Sequence, residues 1–153
     1  MWEEAEALDR GLARAWGCYM FCLQNGESVV PWYVGKTCAQ GGFREEVFAN
    51  HKLEVYNWIA ESRGLRTMLL FPLMTGDHKD SGRFSKNQAS APVVEWLERM
   101  LIALALDRNP DLLNLRDTLM LTSVTVRGVI GTKAKGRPHE EVKYARRALG
   151  IGR

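Results

Sequence analysis

The sequence is poor in the residues that staple or anchor a small fold. Three cysteines occur among 153 residues, Cys18, Cys22 and Cys38, an odd count without a Cys-x-x-Cys pair. That spacing argues against a disulfide framework, and a zinc centre would need His139 as a distant fourth ligand. Small buried side chains in a reducing compartment are the favoured reading. No run approaches the roughly 18 consecutive apolar residues of a membrane span. The start, Met1-Trp2-Glu3-Glu4, is acidic where a secretory leader is basic, so a cytoplasmic (intracellular) protein without membrane contact is expected. Charge of one sign is scarce as well: 21 Lys and Arg against 18 Asp and Glu leave +3, a balance that by itself names no partner.

What is present is globular. The apolar fraction of 46% and charged fraction of 25% exclude global disorder, and the length suits one domain able to bury a core. Residues 3–16 read as a short helix with Ala5, Leu8, Leu12 and Ala15 on one stripe, stopped by Gly17. Residues 18–23 are a buried strand. A turn around Asn25-Gly26 leads to a second strand over about 30–36, paired antiparallel with the first. One helix is predicted from about 43 to 61. A third strand covers 66–74, with Pro72 marking an edge or a strand end. Residues 75–91 are polar and loop-like. Ser90 and Pro92 then read as the N-cap and early proline of a helix over 92–107, apolar enough to lie in the core. A further strand over 121–130 and a basic helix over 138–149 complete an α/β (α+β) pattern, a small three-stranded antiparallel sheet flanked by helices.

Polar residues recur where a core would not ask for them. Tyr19 lies mid-strand and Tyr33 on the partner strand, so the two phenols are expected on one face. Tyr33 is followed by Gly35-Lys36-Thr37. Arg44 and His51 are seven apart on one helix, about two turns, so they share a stripe. Glu98 sits within the most hydrophobic helix, where a carboxylate needs a partner. Asn114 follows that helix.

Gly17-Cys18-Tyr19 followed by Tyr33-Val34-Gly35-Lys36-Thr37 resembles the paired signature of the GIY-YIG endonuclease family. The continuation is similar too. Arg44 falls where that family carries its helix arginine, Glu98-Arg99-Met100-Leu101-Ile102 resembles its Glu-x-x-Leu-Ile metal-ligand helix, and Leu113-Asn114 its closing asparagine. The resemblance runs from about residue 16 to 117. Cys18 replaces the middle isoleucine, the gap from Glu98 to Asn114 is longer than in compact versions, Asn109 offers a rival asparagine, and Glu95 a rival carboxylate. Four ordered elements are a far more specific match than one three-residue motif.

The resemblance implies a GIY-YIG-like catalytic domain over 1–126 and a basic extension over 127–153, with Mg²⁺ (or Mn²⁺) as cofactor and DNA as partner. It implies phosphodiester hydrolysis through one metal held by Glu98. Arg44 would neutralise the phosphate, one phenol would orient or deprotonate water, and Asn114 would orient Glu98 or a neighbouring backbone group. A free tyrosine has a pKa near 10 and needs nearby positive charge to act as a base; Lys36, Arg44 and the metal are the sources. Tyr19 is preferred as base and Tyr33 as positioner, an order the sequence leaves open. His51 would accept the phenol's proton or hold a phosphate oxygen.

Residues 127–153 hold eight Lys and Arg against two acids. Lys133, Lys135, Arg137, Arg146 and Arg147 are the DNA-binding candidates. Lys133-Ala-Lys-Gly-Arg-Pro138 resembles an AT-hook, but a basic turn before a helix starting at Pro138 is favoured over groove readout, while general phosphate attraction is expected of it. Little of the chain is left for sequence readout. Specificity is therefore expected from structure selectivity, a homodimer or a partner protein, and the small size suits a phage or mobile element. The alternative is a nucleic-acid-binding module that does not cut.

Overall fold

The computed structural model describes residues 2–60, 63–75, 83–114 and 139–149, with the side chains of residues 51 and 60 left aside. The chain divides into two compact units, Met1–Asn114 and Leu115–Arg153, so the division falls ahead of the expected boundary at 126.

The first unit is built on a three-stranded antiparallel sheet. Strand β1 (Gly17–Asn25) lies between β2 (Ser28–Thr37) and β3 (Leu65–Pro72). The β1–β2 turn is centred on Gly26 and Glu27, with Asn25 pairing Ser28. Gly26 has φ 62° and, among the described residues, no non-glycine residue has positive φ, the pattern of a tight turn that takes glycine first. This centre is one residue beyond the expected Asn25-Gly26. Pro72 is the last residue of an edge strand, both places where a missing N–H is tolerated.

Helices cover both faces of the sheet. Alternation places Tyr19, Phe21 and Leu23 of β1 on one face, where they pack with Phe43 and Val47 of α2 (Phe43–Glu46, extended by a turn) and with Tyr56 and Ile59 of α3 (Asn50–Ala60). On the other face Cys18 is fully buried, and its thiol lies 3.4 Å from the carbonyl of Val94 in α4 (Ala91–Arg108).

Several expected elements are divided. The helix expected over 43–61 is two helices, because both its halves must face the sheet. Val47 and Tyr56 are nine residues apart, two and a half turns, so one straight helix would point them in opposite directions. The break at 47–49 lets both be buried, and it means that Arg44 and His51 do not share one helix. The helix expected over 3–16 ends as α1 (Trp2–Leu8), followed by a 3-10 turn at Leu12–Arg14. Gly11 adopts φ 94°, and the Glu6 carboxylate accepts hydrogen bonds from Gly11 N–H (2.8 Å) and Ala13 N–H (2.9 Å) in place of a continuing helix.

The segment expected as a loop over 75–91 contributes two short paired strands, β4 (Met74–Thr75) and β5 (Arg83–Phe84), and a 3-10 turn at Gln88–Ser90. Ser90 occupies the N-cap position of α4 without a capping bond. Its hydroxyl pairs instead with that of Ser85 at 2.6 Å, both side chains being buried. Helix α4 is not wholly internal as expected. Val94, Leu101, Ile102 and Ala105 are buried, whereas Val93, Trp96, Met100 and Leu104 form an exposed apolar stripe.

In the second unit one helix, α5 (Glu140–Ala148), is described, starting close to the expected 138. Glu140 and Glu141 in its first turn and Arg146 and Arg147 in its last suit the helix dipole. The strand expected over 121–130, and Lys133, Lys135 and Arg137, lie outside the described residues. Among the described residues no helix is long and apolar enough to cross a membrane.

Candidate active site

Four consecutive residues of β2, Tyr33-Val34-Gly35-Lys36, are each met by a side chain from a different part of the chain. Beneath Gly35 lies the ring of Tyr19; a Cβ at Gly35 would stand 2.4 Å from the phenol Cζ. Only glycine admits so close an approach. The hydroxyl of Tyr33 accepts a hydrogen bond from Lys52 of α3. Lys52 also lies over the Tyr33 ring, 4.9 Å from its centroid, and 3.9 Å from Glu46. Asn114 brackets Val34: its Oδ1 accepts from Val34 N–H at 2.8 Å and its Nδ2 donates to Val34 C=O at 2.6 Å. Lys36 pairs with Glu98 of α4 at 2.7 Å, and Glu95, one turn earlier, lies 4.0 Å away.

The sheet divides these groups. Alternation sets Tyr19, Tyr33 and Gly35 on the α3 face and Lys36 on the α4 face, with Tyr33 and Lys36 roughly 10 Å apart along the strand. The two phenols thus share a face as expected, their ring centroids 6.3 Å apart. They differ in access. Tyr19 is fully buried, with its hydroxyl beside that of Tyr56, whereas Tyr33 is partly exposed. Burial pushes the Tyr19 phenol far above the usual tyrosine range, and the neighbouring Tyr56 and Tyr33 add to that.

No known family model, curated protein or solved structure matches the chain.

Arg44 stands apart from both groups. It is exposed on α2 and lines a depression of about 650 Å³ with Arg14, Gln40, Gly41, Glu45 and Lys86. His51 lies at the start of α3, and its side chain is outside the described residues. Asn114 acts on strand backbone, the second of the two tasks expected of it. Its rival Asn109 does similar work, donating to Pro31 C=O at 2.8 Å. Arg146 and Arg147 lie on α5, with Arg147 over the Tyr144 ring.

A hard divalent cation keeps several waters and takes one or two carboxylates. Glu98, with 13% of its side chain exposed, and the more open Glu95 supply that number. Among the described residues no group of three or more His, Cys, Asp or Glu is placed to hold a metal ion, and the Glu98 carboxylate is paired with Lys36. Burial, then the charge of Glu98, pushes the Cys18 thiol up to about 12.

Two participants escaped the sequence reading. Lys52 and Tyr56 lie four apart on α3 and both meet the tyrosine face, Lys52 through its bond to Tyr33 and Tyr56 through an edge contact of its ring with Tyr33. The apolar positions Tyr56 and Ile59 would have given the helix phase that turns Lys52 inward, had the break after α2 been recognised.

Proposed function

We propose that the chain is a divalent-metal-dependent endonuclease that hydrolyses DNA phosphodiester bonds with a site of GIY-YIG type. One observation carries this reading: Tyr19, Asn114 and Glu98, each named by the motif resemblance, all meet the Tyr33–Lys36 strand, Tyr19 on one sheet face, Glu98 through Lys36 on the other and Asn114 at the edge.

Glu98, with Glu95 in reserve, would hold Mg²⁺ (or Mn²⁺), which when bound supplies charge neutralisation at the phosphoryl oxygens and a more acidic water. The chain's own residues divide the remaining work. Tyr33 takes the water-facing role that the sequence favoured for Tyr19, because it is only partly buried and Lys52 holds its hydroxyl. Tyr19 supports the strand from below. Arg44 draws the phosphate through its planar fork of donors. Asn114 satisfies the outer edge of β2 and so fixes the register of Tyr33 against Lys36.

The test is nicking of supercoiled plasmid and branched DNA with Mg²⁺. Wild type is expected to cut, and Glu98→Ala, Arg44→Ala and Tyr33→Phe to lose on the order of 10²-fold or more. Cutting by Glu98→Ala with a dead Glu95→Ala would move the ligand to Glu95. The Lys36–Glu98 ion pair favours one other reading, a non-catalytic nucleic-acid-binding module in which Glu98 only straps α4 to β2. DNA binding with no nicking under Mg²⁺ or Mn²⁺ would select it.

A further inference from the structure

Arg44 is one of several cations gathered on one surface of the first unit. Its 650 Å³ depression adjoins a second of about 340 Å³, lined by Glu6, Arg10, Gly11, Ala13, Arg14 and Arg44. Arg14 and Arg44 line both, so the two form a continuous track with Arg10 at one end and Lys86 at the other.

These cations come from separate segments held together by backbone. Phe43 N–H donates to Ala15 C=O at 3.3 Å, and Gly42 packs so closely on Arg14 that a Cβ would stand 2.3 Å from its carbonyl carbon. The turn bearing Arg14 is thereby docked on the helix bearing Arg44. Leu73 N–H donates to Trp16 C=O at 2.8 Å and Ser85 N–H to Leu73 C=O at 2.7 Å, which ties the residue before Lys86 to the same place.

The acids on this surface are turned to other work. Glu6 spends both oxygens on Gly11 and Ala13 N–H, which hold its carboxyl below the usual range, with Arg14 and Arg44 contributing less. Glu45 accepts from Gly41 N–H at 2.8 Å. Among the described residues no ion pair ties up Arg10, Arg14, Arg44 or Lys86. Four cations against two acids leave +2 on this track, out of +3 for the whole chain. Arginines without ion pairs along an open track suit a succession of phosphates.

We propose that Arg10, Arg14 and Lys86 extend Arg44 into a binding track for the phosphodiester backbone of the DNA strand. This rests on the nuclease reading for its ligand. The track fixes where the strand lies, and cutting is left to the groups gathered on the Tyr33–Lys36 strand.

The experiment uses the full chain and a fluorescein-labelled DNA duplex in EDTA, with anisotropy measured across a NaCl series. The Arg14→Ala/Lys86→Ala double variant should bind on the order of tenfold more weakly at low salt. Its slope of log K against log [NaCl] should be shallower by about 1.8, at about 0.9 for each phosphate no longer neutralised. The charge-conserving Arg14→Lys/Lys86→Arg variant should keep both affinity and slope, which separates charge from any effect on folding. Unchanged affinity and slope in the alanine variant would overturn the track even if wild type nicks DNA. A lower slope in that variant, with a wild type that never nicks, supports the track while the nuclease reading fails. Competition by inorganic phosphate at equal concentration to DNA phosphate would overturn it in favour of a small-anion site.

Discussion

Tyr19 and Tyr33 share a sheet face and a sequence motif, yet one hydroxyl is sealed in the core and the other is partly open beside an ammonium group. Removing each oxygen should therefore have opposite consequences. Tyr33→Phe is expected to keep the fold and lose activity. Tyr19→Phe is expected to retain nicking and to change the unfolding midpoint little, because the ring that packs beneath Gly35 is kept. Thermal unfolding and plasmid nicking of the two variants check this; a dead Tyr19→Phe with an active Tyr33→Phe would restore the opposite order of roles. The buried thiols add a pH dependence. Burial pushes Cys22 up to about 11 and Cys18 up to about 12 from an ordinary value near 9. Below about pH 9 folded and unfolded chains both keep these protons. As pH rises further the unfolded chain loses them first, so stability falls. Denaturant midpoints between about pH 7 and 11 should decline from about pH 9 upward, and a flat profile would contradict the burial of these groups.

The edge of β2 is where an element depends on single residues far away. Asn114 satisfies both polar groups of Val34, and Leu113 N–H donates to Trp32 C=O at 2.9 Å just beyond. Asn114→Ala leaves two backbone groups without partners, at ~1–3 kcal/mol each if they stay dry. We expect a lower urea midpoint and faster amide exchange at Val34, with smaller changes in β3, the strand on the opposite edge. Equal acceleration in both strands would mean global loosening. This edge also marks the limit of what the sequence discloses. The hairpin, the third strand and the apolar α4 are readable because their signals are local: alternation, a glycine turn, a proline at a strand end. The division of residues 43–60 is not, since it follows from Val47 and Tyr56 needing the same sheet face, a tertiary demand. Asn114 could be named from its motif, but that it grips Val34 required the strand order. Lys52 carried no motif and stood one residue from the more conspicuous His51.

At the scale of the whole chain, positive charge is placed twice, as the track on Met1–Asn114 and as the basic stretch 127–153 of Leu115–Arg153. Met1–Asn114 is a compact unit in itself, so a fragment ending at Asn114 is expected to unfold cooperatively. It should also still bind DNA, because Arg14, Arg44 and Lys86 remain. What it should lose is part of the salt dependence. If Lys133, Lys135, Arg137, Arg146 and Arg147 each meet a phosphate, the full chain's slope exceeds the fragment's by up to about 4.5, at about 0.9 per phosphate. Equal slopes with unequal affinities would place the extension's contribution outside phosphate binding. Equal slopes with equal affinities would remove DNA holding from the extension and leave the arginine track as the first unit's own means of engaging the strand.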